Sequence, residues 1–422
     1  MNTTSPPHTP ISLGDIDLTQ PESYRGGFPH DVFSTLRREA PIWWHPAVPK
    51  CVEVDSRGFW VLSKHEDIQM ASRNPDIFSA KDGPTLRGES PSGTPMLTNM
   101  DGASHIRQRQ LISAGFTPRM IGKLEEQARG WAISIVEDAL ERETCNFVDD
   151  VAYQLPMHMI ADIVGIPKED RARIFQIAND FMQCTDPEHP VPVEEHGALV
   201  VEMYRSGQKL SAAKRARAED DVWSILTSAE IKSEDGTLSG LSDLELDGFF
   251  VLLTVAGSET TRNAISLGLL ALLENPGQLE ALRSDPSLLK TATEEIIRFT
   301  SPVSYFRRTV MRDTEIRGVP MAAGDRVSLW YPSGNRDEDA FEDPFQFDVT
   351  RQRNEQVSFG GGGPHFCMGA HLARREIMIM FEELLARVAE FEILAAPRYG
   401  VQGIGNPVAV SLNDLPLRLK AR

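Results

Sequence analysis

Cysteine is scarce in this chain: four in 422 residues, at Cys51, Cys145, Cys184 and Cys367. None has the short paired spacing of a zinc site or a disulfide framework, so a reducing, cytoplasmic setting is expected. Long hydrophobic runs are also missing. The longest, Phe249 to Ala256, falls far short of the ~20 residues that span a bilayer, and the opening MNTTSPPHTPISLGD lacks the basic start and apolar core of a signal peptide. Neither a leader nor a membrane anchor is expected. Positive charge is in deficit, with 43 Lys and Arg against 61 Asp and Glu and a net charge of -18. That balance disfavours nucleic acid and anionic membrane as general partners. Internal repeats are absent. What remains, 41% hydrophobic and 25% charged residues, is the composition of a globular protein large enough for a substantial core.

The chain divides into an N-terminal stretch, Met1 to Tyr24, rich in Pro and Thr and read as an extended arm, and a single domain over 25–422. Helical periodicity is found over Asp31 to Arg38, Lys64 to Arg73, His105 to Ser113, Pro118 to Glu141, Val151 to Val164, Lys168 to Gln183 and Glu194 to Arg217. Phe59 to Leu62 reads as a short strand. Ser79 to Asn99 is a long Gly/Pro/Ser/Thr loop of the kind that is either a lid or disordered. Alternating β segments occupy Ser301 to Leu329, short β segments follow around Val401 to Leu419, and coil lies over Tyr331 to Gln356. The fold class is therefore mainly α with a smaller β-rich lobe.

Three stretches carry chemistry. In Phe359 to Gly369, FGGGGPHFCMG, Cys367 ends a glycine run just before an apolar-periodic helix. Free N–H groups and the helix dipole favour a thiolate there, and glycines let a flat ligand approach the backbone. An inert buried cysteine in a glycine-rich turn is the alternative. The second stretch, Ser242 to Glu274, opens with a capping box of Ser242 and Glu245 and is predicted to be a helix roughly 50 Å long, at 1.5 Å per residue. Its fully apolar part, Phe249 to Val255, gives way to Ala256-Gly257-Ser258-Glu259-Thr260-Thr261. Such a break marks either a helix emerging at the surface or a polar site inside the core, where a charge needs a partner or a task. The third is Glu295 and Arg298, spaced i, i+3 on one helix face.

Taken in order, these three motifs resemble those of the cytochromes P-450, and the resemblance covers nearly the whole chain. It implies the fold of that family, with a long central helix over a buried haem b. By resemblance Cys367 is the thiolate ligand of the iron. His365, the pair His105 and Arg109, and Arg308 would hold the haem propionates, while Ala256, Gly257, Phe359 and Gly369 would border the macrocycle. The family places an aromatic seven residues before the cysteine. Here that position is Gly360 and Phe359 stands eight before, so the loop carries one extra residue. Glu295 and Arg298 would form a structural network with a third member from the coil. Gln346 occupies a place where many members have Arg or His, and Arg351 is the candidate for that role.

Thr260 and Glu259 match the family's acid–alcohol pair, which supplies protons where dioxygen is reduced. A substrate pocket is expected from Leu97, Leu252, Val255, Val303, Phe306 and Ile404. These are apolar, which points to a hydrophobic substrate, and the similarity to actinobacterial members points to a lipid, branched fatty acid, sterol or terpenoid. The implied activity is monooxygenation, one atom of O2 entering a C–H bond. A peroxide-driven peroxygenase and a non-catalytic haem sensor are the alternatives. With no flavin or iron–sulfur motif in the chain, electrons are expected from a ferredoxin with an NAD(P)H-dependent reductase. That ferredoxin would be steered by a basic face of Arg107, Arg119, Lys123, Arg353, Arg374 and Arg375. A monomer is expected.

Overall fold

The computed structural model describes residues 11–46, 58–86, 95–183, 195–232, 238–402 and 408–422. It is 54% helical. The helices form one large apolar core, and two smaller clusters lie under the sheet of the β-rich lobe.

The central helix, Asp243–Glu274, starts where the capping box puts it: Ser242 Oγ accepts from the Glu245 N–H at 3.2 Å, and Glu245 Oε2 accepts from the Ser242 N–H at 2.8 Å. The helix Gln154–Val164 crosses it on one side and Leu289–Thr300 on another. Close approach to Leu289–Thr300 depends on Gly268, where a Cβ would come within 2.7 Å of Ile296 Cγ2. The polar break in mid-helix is not a surface exit. Ser258, Glu259, Thr261 and Arg262 are all buried, so a polar site stands inside the core.

The β lobe is built on a five-stranded sheet in the order Ile42–His45, Phe59–Leu62, Arg326–Trp330, Tyr305–Val310, Phe78–Ser79. Phe59–Leu62 and Arg326–Trp330 run parallel, and the other pairs are antiparallel. Its inner strand Tyr305–Val310 carries Arg308 toward the helical core's cavity.

Residues 11–24 correct the expectation of an extended arm. They form two 3-10 turns, Leu13–Asp15 and Pro21–Tyr24. Ile16, Leu18 and Tyr24 are buried with Phe33 and Trp330, and the Tyr24 hydroxyl donates to the Leu18 carbonyl at 2.9 Å. The Pro and Thr content suggested extension, but alternate apolar residues give this stretch a surface to bury. Among the described residues no helix is long and apolar enough to cross a membrane.

Candidate active site

The glycine loop is shaped by its backbone. Gly360, Gly361, Gly362 and Gly363 all take positive φ, from 71° to 101°, a run that only glycine adopts without strain. At Gly363 a Cβ would also lie 2.2 Å from the Ser72 carbonyl oxygen, so the loop is pressed against the end of the helix His65–Arg73. It returns the chain so that the Cys367 N–H donates to the Phe359 carbonyl at 3.0 Å. The following helix, Ala370–Arg387, begins three residues on. Burial pushes the Cys367 thiol up, while the Gly369 and Ala370 N–H groups and the charges of Arg109 and Arg374 pull it down. Phe359, despite its shifted place in the sequence, borders the same cavity as the sulfur and lies 6.1 Å from Phe366, centroid to centroid.

That cavity, about 330 Å³, lies between the cysteine loop and the central helix. Ala256, Gly257, Thr260 and Thr261 face it from the helix. Thr260 Oγ1 donates to the Ala256 carbonyl at 2.8 Å, which leaves its lone pairs to accept. Glu259 does not face the cavity. It is buried, with its carboxylate 3.3 Å from Arg262 Nη1 and neither oxygen in a hydrogen bond. Arg262 is in turn held by the Leu412 carbonyl at 3.0 Å and by the Tyr153 ring. The structure thus brings Thr260 to the cavity and turns Glu259 away from it.

An edge of two arginines and two imidazoles closes the cavity on one side. His105, Arg109, Arg308 and His365 all border it. The two imidazoles lie 4.2 Å apart, centroid to centroid, tilted by 32°, and His105 Nε2 is buried without a partner. Burial, with His365 and Arg109 nearby, lowers the His105 ring to about 4. His365 Nε2 lies 2.8 Å from Asp101 Oδ1, a partner that sequence reasoning did not name. Burial raises the Asp101 carboxyl, but hydrogen bonds from His365 and Ser79 outweigh it and leave the group below its ordinary value. A second hollow of about 430 Å³ opens beside His105 and Arg109, next to Ile106 and Pro364.

Of the expected pocket residues, Leu97, Leu252, Val303 and Phe306 border the cavity, joined by Phe249 and Leu253. Val255 does not, and this is a correction. At 100° per residue it points away from the face shared by Leu252, Ala256 and Thr260, into the hydrophobic core. Ile404 lies outside the described residues. Glu376, also missed, borders the cavity from the helix after the cysteine, and burial pushes its carboxyl up to about 8.

Below the cavity, Glu295 and Arg298 make a two-point pair at 2.7 Å, both with side chains fully buried. Arg351 Nε donates to Glu295 Oε2 at 3.1 Å. Gln346 takes part through its backbone carbonyl, which accepts from Arg298 and Arg351. Asn354 and the Asp348 N–H also donate to Glu295, two contacts with no sequence signal because coil residues have no period.

The family model "Cytochrome P450" matches residues 147–420. A methyl-branched lipid omega-hydroxylase of Mycobacterium tuberculosis is 41% identical over 91% of this chain and 90% of its own length. The chain belongs to the cytochrome P450 family. A steroid C26-monooxygenase of Rhodococcus jostii is 37% identical, over 91% of this chain and 81% of its own. A Mycobacterium marinum cytochrome P450 solved with pseudoionone superposes with a TM-score of 0.84 at 35% identity, covering 92% of this chain and 94% of that one. This P450 is thus a monooxygenase whose cofactor is haem b on a cysteine thiolate. The residues present fit that group. Cys367 offers a sulfur to the cavity, small residues on the central helix leave space opposite it, and His105 Nε2 is a buried ring nitrogen with no partner beside two arginines, groups suited to a pair of buried carboxylates.

Proposed function

We infer that this P450 hydroxylates a branched lipid, sterol or terpenoid at an exposed methyl end, with electrons from a ferredoxin. The observation that carries this reading is one cavity that sets Cys367 against Thr260 and is walled by Leu97, Phe249, Leu252, Val303 and Phe306. The names of the two curated relatives support the substrate class.

Held by Cys367, with His105, Arg109, Arg308 and His365 at its propionates, haem would supply the activation of dioxygen. The chain's own residues then do the rest. The apolar wall excludes bulk water from the reacting C–H bond. The Thr260 hydroxyl, anchored on the Ala256 carbonyl, accepts a hydrogen bond at its free lone pairs and passes a proton into the cavity. Glu259 feeds that relay once its carboxyl leaves Arg262, so the pair at 3.3 Å sets when protons are available. Arg262, committed to Glu259 and Leu412, is not placed to bind a substrate carboxylate, which disfavours a peroxide-driven peroxygenase.

Thr260→Ala is expected to keep haem and substrate binding while product per reducing equivalent falls roughly a hundredfold, the lower end of general acid–base contributions, the lost electrons appearing as hydrogen peroxide. Parallel measurement of substrate spin shift, product and peroxide checks this; unchanged coupling rules out the relay. A panel of branched fatty acids, sterols and terpenes, scored by spin shift and then by turnover with ferredoxin and reductase against peroxide alone, tests the function. Turnover only with peroxide, and none with ferredoxin and reductase, overturns the ferredoxin-driven reading.

The basic face is not as expected. Arg107 pairs with Glu245, Arg119 and Lys123 with Asp220, Arg374 with Glu294 and Arg375 with Glu125. Ile106 and Phe366, each exposed and each next to one of the paired imidazoles, offer apolar contact on that side instead. Reduction by a ferredoxin is therefore expected to fall only shallowly with salt, as stopped-flow kinetics across ionic strength will read.

A further inference from the structure

Arg374 lies on the helix that follows the cysteine, and its guanidinium makes three hydrogen bonds and one ring contact. Nε and Nη2 donate to Glu294 Oε1 and Oε2 at 2.5 and 3.1 Å, the two-point geometry of a strong arginine–carboxylate pair. Nη1 donates to the Ala370 carbonyl at 3.2 Å, one turn back. The guanidinium carbon stands 4.4 Å from the Phe359 ring centroid, inside the ~6 Å reach of a cation–π contact. Phe359 is the residue whose carbonyl accepts the Cys367 N–H. Glu294 is fixed in its turn by the helix Leu289–Thr300, where its neighbour Glu295 is locked into the buried arginine network.

We propose that Arg374, clamped by Glu294 against Phe359, is a positioning residue for the axial cysteine, fixing the loop that presents Cys367 and holding a positive charge beside the sulfur. This rests on Cys367 being the haem ligand. A fixed cation near the thiolate favours the more electron-rich, reduced haem, so it raises the reduction potential. The flat guanidinium over Phe359 keeps the ring, and with it the Cys367 N–H acceptor, from swinging away. Three of the five Arg374 N–H donors and one guanidinium face are thus committed within the chain and not to a docking partner.

The test uses the haem-loaded protein and three variants, read by equilibrium redox titration and by the spectrum of the reduced carbon monoxide complex. Arg374→Ala is expected to make reduction at least threefold less favourable, about 28 mV at 59 mV per tenfold for one electron, and to increase the fraction that loses the thiolate band. Arg374→Lys keeps the charge but not the fork or the flat face, so its potential stays near wild type while the band decays faster. Glu294→Gln removes a negative charge but loosens the clamp. Its potential moves up while the band again decays faster, and these opposite signs separate charge from positioning. Wild-type potential and spectrum in Arg374→Ala, with only weaker ferredoxin binding, overturn the proposal. So does an Arg374→Ala that yields no haem protein while the other two variants match wild type in both readouts. Loss of the thiolate band in the wild-type protein instead overturns the ligand assignment.

Discussion

Cys367→Ser is expected to abolish monooxygenase turnover and the thiolate signature of the reduced carbon monoxide complex, while leaving the haem-free fold in place. The separation follows from where the bonds are. The loop is closed by the Cys367 N–H on the Phe359 carbonyl and by four glycines in the left-handed region, none of which involves the sulfur. The side chain faces the cavity. Serine fits the same space, but its neutral hydroxyl is a poor substitute for a thiolate, which is the form that binds metal. Cys145 supplies the control. It sits buried on a strand, its thiol pushed up to about 11 by burial, and Cys145→Ser is expected to keep the wild-type spectrum. A Cys367→Ser protein that retains the thiolate band, or a Cys145→Ser protein that loses it, removes Cys367 from the centre of the site.

Much of this site was legible because its signals are local. The capping box at Ser242 and Glu245 sets the start of the central helix through contacts three residues apart, and the glycine run forces its own turn. The Glu295–Arg298 pair is likewise one helical turn. What was hidden depends on partners far along the chain. Five of the six basic residues read as a face, Arg107, Arg119, Lys123, Arg374 and Arg375, take Asp220, Glu125, Glu245 and Glu294 as partners, from 80 to 250 positions away for the arginines of the cysteine helix. Val255 and Ala256 differ by one residue and 100° of rotation, and composition treats both as apolar wall. Glu259 was read as a cavity acid from its place beside Thr260, but at 100° per residue it turns out of the face that Ala256, Gly257, Thr260 and Thr261 present to the cavity. The i, i+3 step to Arg262, which can, was the signal that carried its position.

The buried network makes the last and most asymmetric forecast: Glu295→Gln is expected to cost more stability than Arg298→Met. Removing one member of a buried ion pair typically costs about 3–5 kcal/mol, because the remaining charge is left uncompensated, and a domain has only about 5–15 kcal/mol in hand. Here the two halves are not equivalent. Without Arg298, Glu295 still holds Arg351 Nε at 3.1 Å, the Asn354 amide and the Asp348 N–H. Without the Glu295 charge, Arg298 and Arg351 lose the carboxylate they share. Arg336 then suffers as well. It is buried over the Phe299 ring at 4.0 Å, and burial with Arg298 already pushes its guanidinium down while Glu295 opposes the shift. Three arginines would crowd one pocket without their anion. Urea unfolding of the haem-loaded variants should place the Glu295→Gln midpoint below that of Arg298→Met, with the double variant less destabilised than the sum of the two, as directly bonded residues require. An Arg298→Met protein that is the weaker of the two would show that the arginine's carbonyl contacts to Asn335 and Pro344, and not its charge, hold the coil beneath the haem.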